Sequence, residues 1–214
     1  MAENSRRELA TRQKTWAKKL AEFLTKANIS PNMISIFSMV FALLSALAFM
    51  QLKSSQEWFW PLLGVVGIQL RLLCNLMDGL VAIEGGKKTP TGDLYNEIPD
   101  RFADVLIILG VGYGLTQAFA VELAWFAALA AVMTAYIRCL GASLLNKHDF
   151  VGPFAKQHRM ALISFAGIIV SIERAYENYQ SQALYYVLWF VGVGAMITFA
   201  RRALRIANEL KAKA

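Results

Sequence analysis

Six of the fifteen acidic residues fall in one stretch of the chain: Asp78, Glu84, Asp93, Glu97, Asp100 and Asp104. Asn75 and Asn96 stand among them. Carboxylate and amide oxygens are the donors that a hard divalent cation such as Mg²⁺ prefers. On a helix, Asn75 and Asp78 are three residues apart and share a face. Asn96, Asp100 and Asp104 form a second stripe, with Asp93 and Glu97 beside it. Two such stripes on neighbouring helices could hold a cation between them. The same carboxylates could instead be helix-end groups paired with Arg71, Arg101 and Arg138, and charge pattern alone leaves both readings open.

The elements that must position these residues are apolar. The chain is 57% hydrophobic and 17% charged, against about 25% charged in a usual soluble domain. The charges sit in blocks between apolar runs long enough for a helix to cross a bilayer. Lipid offers no partner to an open backbone, so such runs are expected to be helices. The expected fold is an all-α membrane protein of six transmembrane helices, preceded by an N-terminal amphipathic interfacial helix. Its organisation reads as a cytoplasmic amphipathic segment over 1–31, a six-helix domain over 32–200 and a basic cytoplasmic tail over 201–214.

Residues 5–28 repeat Leu9, Trp16, Leu20, Phe23, Leu24 and Ala27 at helical spacing, with Arg12, Lys14, Lys18 and Lys19 between them. A basic helix with one apolar face lies in a membrane interface. Ser30-Pro31-Asn32 breaks that pattern. The spans are then expected over 33–52, 58–82, from between Gly92 and Asp100 to Ala118, 122–145, from about His158 to Ile172, and 184–200. Pro99 belongs in a first turn or at a kink, because it lacks an N–H and crowds the carbonyl four residues back. Arg71, Asn75 and Asp78 bar the later half of the second span from facing lipid.

Lys and Arg crowd both ends, which places both in the cytoplasm by the positive-inside bias. The outer loops then hold only Lys53 and Arg174, while Lys87, Lys88, Lys147 and Lys156 fall inside. The net charge of +7 thus reads as membrane topology. Nucleic acid is excluded as a partner, since no aromatic–basic platform is present. Cys74 and Cys139 lie in apolar runs and read as small packed side chains. No short apolar core precedes a small-residue cleavage site, so no signal peptide is expected. His158 reads as an interfacial residue, His148 beside Asp149 as part of a polar loop, and Gly85-Gly86 with Lys87 and Lys88 as a flexible turn.

The run Asn75-x2-Asp78-Gly79-x2-Ala82-Ile83-x8-Gly92-x3-Asn96-x3-Asp100 resembles the signature D-x2-D-G-x2-A-R-x8-G-x3-D-x3-D of the CDP-alcohol phosphotransferase (CDP-alcohol phosphatidyltransferase) family. That family includes phosphatidylglycerophosphate, phosphatidylinositol-phosphate and phosphatidylserine synthases. Asp78, Gly79, Ala82, Gly92 and Asp100 match in register. Ser30-Pro31-Asn32-Met33-Ile34-Ser35 is similar to the family's T-P-N-x-I-T, and Tyr136-Ile137-Arg138 and Lys156-Gln157-His158-Arg159-Met160 are similar to its later basic motifs. Asn75 and Asn96 replace two of the four aspartates, each removing a negative charge, and Ile83 replaces the arginine.

The resemblance implies a membrane enzyme of phospholipid synthesis. An acceptor hydroxyl attacks the β-phosphorus of CDP-diacylglycerol or a related CDP-linked lipid, and CMP leaves. It implies Mg²⁺ or Mn²⁺ near Asn75, Asp78, Asn96 and Asp100, with Glu97 and Asp93 close enough to compensate for the two asparagines. Asp100 stands at the position of the catalytic base. Pro31, Asn32, Asp78, Gly79, Ala82 and Gly92 would seat the cytidine diphosphate end, and Arg138, Lys156 and Arg159 would hold the alcohol acceptor, a phosphorylated one by their charge. It also implies a homodimer, for which Gly110, Gly112 and Gly114 permit close helix packing. The site would face the cytoplasm, from the inner membrane if the source is bacterial. The alternative is a catalytically impaired relative that binds nucleotide or lipid without turnover.

Overall fold

The structure is a computed structural model that describes residues 14–87, 89–145, 154–177 and 182–213. Seven α-helices run through them, and no strand occurs among the described residues. They are α1 (Thr15–Lys26), α2 (Pro31–Met50), α3 (Phe59–Glu84), α4 (Gly92–Gly114), α5 (Ala120–Leu145), α6 (Lys156–Glu177) and α7 (Ala183–Lys211). Within the N-terminal stretch α1 is helical over Thr15–Lys26; Leu9 and Arg12 lie outside the described residues, as do Lys88, Lys147, His148 and Asp149.

The break at Ser30-Pro31-Asn32 is a helix start. Ser30 is extended (φ −82°, ψ 151°), its hydroxyl accepts from the Met33 N–H at 3.3 Å, and Pro31 fills the first turn, where its missing N–H costs nothing. Along α2 the small residues Ser35, Ser38, Ala42, Ser45 and Ala46 are buried, while Met33, Phe37, Val40, Leu44 and Leu47 are exposed. Large apolar groups outside and small ones inside is the pattern of a helix bathed in lipid and packed closely on its neighbours. The close approach is literal at Gly110, where a Cβ would come within 2.5 Å of Ala46 Cα. No larger residue fits between α4 and α2 there.

Among the described residues four helices are long and apolar enough to cross a membrane: α2 with the following turn to Lys53, α3, α5 and α7. This is an integral membrane protein. α4 and α6 are as long as the membrane demands but carry the charges that matter below. α4 runs unbroken from Gly92 with Pro99 inside it, two turns beyond the helix start. α6 begins at Lys156, so the apolar run is extended backward through Arg159 and His158 as its length requires. In the basic segment after 200, residues 201–211 continue α7. Their apolarity falls, but Ala, Leu, Arg, Glu and Lys are strong helix formers, and Arg202 and Ile206 turn inward and are buried.

α2 packs against both α3 and α4 more extensively than any other two helices meet, and α5 lies against α4 and α7. α3 and α4 have little direct backbone contact. Side chains cross the gap between them. α1 sets Ala17 and Ala21 on Met77, Leu80 and Val81 of α3 and leaves Trp16 and Phe23 exposed.

Candidate functional site

The two polar stripes face each other across that gap in antiparallel register. Arg71 of α3 donates to Asp104 of α4 at 2.7 Å. One turn on, the Asn75 amide donates to Asp100 Oδ1 at 2.7 Å. A further turn brings Asp78 and Asn96 to the wall of one cavity. Steps of four and three residues on α3 and of four on α4 keep the stripes aligned, as the 3.6-residue repeat dictates.

At the closed end of this ladder lies a buried ion network. Arg71, Asp104 and Arg159 are each at most 1% exposed. Asp104 takes Arg71 on one oxygen and Arg159 Nη2 on the other at 2.9 Å. Arg159 also donates to Thr134 Oγ1 and the Phe154 carbonyl. Two guanidiniums away from water are tolerable only with such partners. Above them sits Asp100, whose Oδ1 receives Arg71, Asn75 and the Lys156 ammonium.

Two cavities of opposite character lie near Asp100, which is on the wall of neither: Asn96, one turn before it, lines the first, and Lys156, its ion-pair partner, lines the second. The first, of 290 Å³, is walled by the start of α2 (Pro31, Asn32, Ser35), by Asp78 and Ala82 of α3, by Lys87, Thr89 and Pro90, and by Gly92, Asp93 and Asn96 of α4. Ser35 donates to Asp78 Oδ2 at 2.7 Å and orients it. The second, of 180 Å³, is walled by Glu97, Arg101, Arg138, Lys156, Arg159 and Arg202, with Thr134, Ala135, Ala155 and Gln157. Arg138 Nη2 donates to Glu97 Oε2 at 2.6 Å. Arg101 and Arg159 each keep a buried Nε with no hydrogen-bond partner. A buried donor left unpaired costs about 1–3 kcal/mol, which an incoming acceptor oxygen would offset.

The structure brings Pro31, Asn32, Asp78, Ala82, Gly92, Asp93 and Asn96 to the first cavity, and Arg138, Lys156 and Arg159 to the second. Asn75 lines neither and is bonded to Asp100. Gly79 is buried within α3 and is not on the cavity wall. Asp93 and Glu97, which flank Asn96 and Asp100, part company: Asp93 lines the first cavity and Glu97 the second. Three participants escaped sequence reasoning: Ser35 was legible only as part of a motif, Lys87 as part of a flexible turn and Arg202 as tail charge. Arg71 was legible as a partner of the carboxylates, and it pairs with Asp100 and Asp104. Arg202 donates to the Thr134 carbonyl at 2.7 Å. The available signal was a charge in an otherwise apolar helix.

The first cavity offers oxygen donors only, from Asp78, Asp93 and Asn96, with no thiol or imidazole on its wall. Among the described residues no three His, Cys, Asp or Glu side chains converge. Mg²⁺ is commonly held by one or two carboxylates, retained waters and substrate phosphates. The donor set fits such an ion, completed by phosphate oxygens.

The family model for CDP-alcohol phosphatidyltransferases matches residues 28–200. The chain belongs to that family. It is 25% identical over 150 residues to the inner membrane protein YnbA of Escherichia coli (strain K12), covering 70% of this chain and 72% of that one. It is 22% identical over 193 residues to a phosphatidylinositol phosphate synthase of Streptomyces avermitilis, covering 88% of this chain and 77% of that one. The fold is similar to Mycobacterium tuberculosis phosphatidylinositol phosphate synthase (PgsA1) with CDP-DAG bound, with TM-score 0.74 and 16% identity over 89% of this chain and 92% of that one. The same protein has been solved with manganese and citrate.

Proposed function

We propose that the chain transfers a phosphatidyl group from CDP-diacylglycerol, or a related CDP-linked lipid, to a phosphorylated alcohol and releases CMP. One observation carries this reading: Asn96, one turn before Asp100, is on the wall of an oxygen-lined cavity, and Lys156, paired with Asp100, is on the wall of a cation-lined one. The family chemistry needs a nucleotide diphosphate on one side of the base and an acceptor hydroxyl on the other.

The nucleotide end occupies the first cavity, between Pro31, Asn32 and Ser35 of α2 and Gly92 of α4. Gly92 has no side chain to hold the ligand off the backbone there. Asp78, with Asn96 and Asp93, would hold a Mg²⁺ or Mn²⁺ ion, whose charge would neutralise the diphosphate and polarise the β-phosphorus. Asn75 orients Asp100 by its amide N–H. Asp100 accepts from Arg71 and Lys156 on Oδ1 and is the carboxylate set to act as base. It takes the acceptor's hydroxyl proton as the acceptor oxygen bonds to the β-phosphorus and the bond to CMP breaks.

The second cavity holds the acceptor. Arg71, Arg101, Arg138, Lys156, Arg159 and Arg202 cluster around three carboxylates, Glu97, Asp100 and Asp104. Excess positive charge in an apolar surrounding suits a phosphate group, and arginine's forked donors match its oxygens.

The same reading gives six spans, with α4 and α6 completing the four apolar ones. Both chain ends and both cavities face the cytoplasm, and α1 lies in the interface with Trp16 and Phe23 toward lipid. The chain pairs as a homodimer. A second reading, a relative that binds nucleotide without turnover, has the Asn75–Asp100 bond in its favour, since an amide there supplies no charge to a metal. The test is mass spectrometry of lipid products from purified protein, CDP-diacylglycerol, Mn²⁺ and a panel of alcohols. A phosphatidyl ester of a phosphorylated alcohol supports transfer; bound cytidine nucleotide with no new lipid supports the second reading.

A further inference from the structure

We propose that Lys87 is a substrate-binding residue of the first cavity, the side-chain cation that meets the diphosphate of the CDP-linked lipid. This rests on reading that cavity as the nucleotide site.

The turn after α3 is shaped for that placement. Gly85 follows the last helical residue and lies against α1, where a Cβ would come within 2.8 Å of Thr25 Oγ1. Gly86 has φ +61°, in the left-handed region that glycine enters without a Cβ penalty. The two glycines turn the chain out of α3, and the next side chain, Lys87, is on the cavity wall with Thr89 and Pro90. α3 itself brings no cation to that wall. Ile83, at the arginine position of the family signature, is 52% exposed and does not line the cavity. Among the described residues on the wall Lys87 is the one cation, beside the carboxylates Asp78 and Asp93.

Lys87 Nζ donates to the Thr25 carbonyl at 3.3 Å and to Asn28 Oδ1 at 3.0 Å. Both acceptors are neutral and stand at the C-terminal end of α1, so they hold the ammonium without cancelling its charge. An ammonium has three donors. A third N–H can therefore serve a phosphate oxygen while α1 stays engaged. Hydrogen bonds from a cation to phosphate are roughly twice as strong as neutral ones. Lys87 then shares with the metal ion the work of neutralising the diphosphate, a charge that the turn supplies where position 83 has none.

The test is calorimetry of CDP-glycerol, a water-soluble diester of the same diphosphate, with the purified full chain in detergent and Mn²⁺. Lys87→Gln should weaken binding about tenfold. It should also flatten the dependence of binding on salt, because one ionic contact is gone. Asn28→Gly asks whether Lys87 acts only by holding α1. It removes one acceptor, keeps the ammonium and suits the φ of 60° at that position. Its affinity should stay within about twofold of the wild type. If Asn28→Gly weakens binding as much as Lys87→Gln does, or if Lys87→Gln leaves the salt dependence unchanged, the proposal is overturned. Asp78→Asn separates the two levels of failure. If it weakens binding while Lys87→Gln does not, the nucleotide site stands and the role of Lys87 falls. If neither weakens binding, or the wild type does not bind, the first cavity is not the nucleotide site and both readings fall together.

Discussion

The two cavities beside Asp100 are built from adjacent turns of the same helix, yet their charge is opposite in plan. The first has two carboxylates, Asp78 and Asp93, with Lys87 as a cation on its wall. That lysine is turned to the Thr25 carbonyl and Asn28 Oδ1, at 3.3 and 3.0 Å. The second has five cationic side chains and Glu97. A diphosphate would be repelled from the first unless a metal ion entered with it. A phosphate would be drawn into the second directly. On the proposed function the contrast would divide the work, with metal-mediated binding in the first cavity and arginine-mediated binding in the second.

The contrast is broken most completely at the shared residue. Asp100→Ala should lower CMP release by on the order of 10²–10⁴, because the reaction loses its base. Asp78→Ala should do the same by removing the metal-facing carboxylate, with membrane insertion kept in both. Turnover in the doubly substituted protein would refute the site. Asp104→Ala acts on the fold beneath both cavities. It leaves Arg71 and Arg159 without their shared carboxylate, a loss of about 3–5 kcal/mol for a broken buried pair. Thermal unfolding in detergent measures it.

Smaller changes sharpen the division. Arg138→Gln should raise the acceptor KM about tenfold while the KM for CDP-diacylglycerol holds. A parallel rise in both would mean the cavities are not separate. The smallest effects are expected at the asparagines, and the geometry now separates them. Asn96→Asp adds a carboxylate to the metal side and should lower the Mn²⁺ needed for half-maximal activity by several-fold. Asn75→Asp removes the donor to Asp100 and sets a like charge within hydrogen-bond reach of it. It should reduce turnover without helping the metal. Titration of Mn²⁺ against CMP release for each variant reads both.

Much of this was legible before any coordinates. The apolar runs gave the helices, and Ser30-Pro31 gave a start that the capping hydroxyl confirms. The stripes on α3 and α4 followed from three- and four-residue spacing, which fixes a face on any helix. The same rule could have separated Glu97 from Asn96. Neighbours on a helix point about 100° apart, so Glu97 turns away from Asn96 toward the side of Arg101, whereas Asp93, four residues before Glu97 and three before Asn96, is placed with neither by spacing alone. What spacing could not give was which neighbour each face meets. That Arg71 closes on Asp104, or that Arg202 returns from the end of α7 to Thr134, depends on how helices distant in sequence pack. The helical continuation beyond residue 200 was hidden for another reason: hydropathy marks where lipid ends, and a helix need not end there.

The most direct test of the central claim is CMP release by the purified protein with CDP-diacylglycerol, compared with and without Mn²⁺ and with a phosphorylated or an unphosphorylated alcohol. The account predicts release that requires both the metal and the phosphorylated acceptor and is lost in Asp100→Ala. Release that persists without metal, or an absence of release with every acceptor from folded protein, would contradict it.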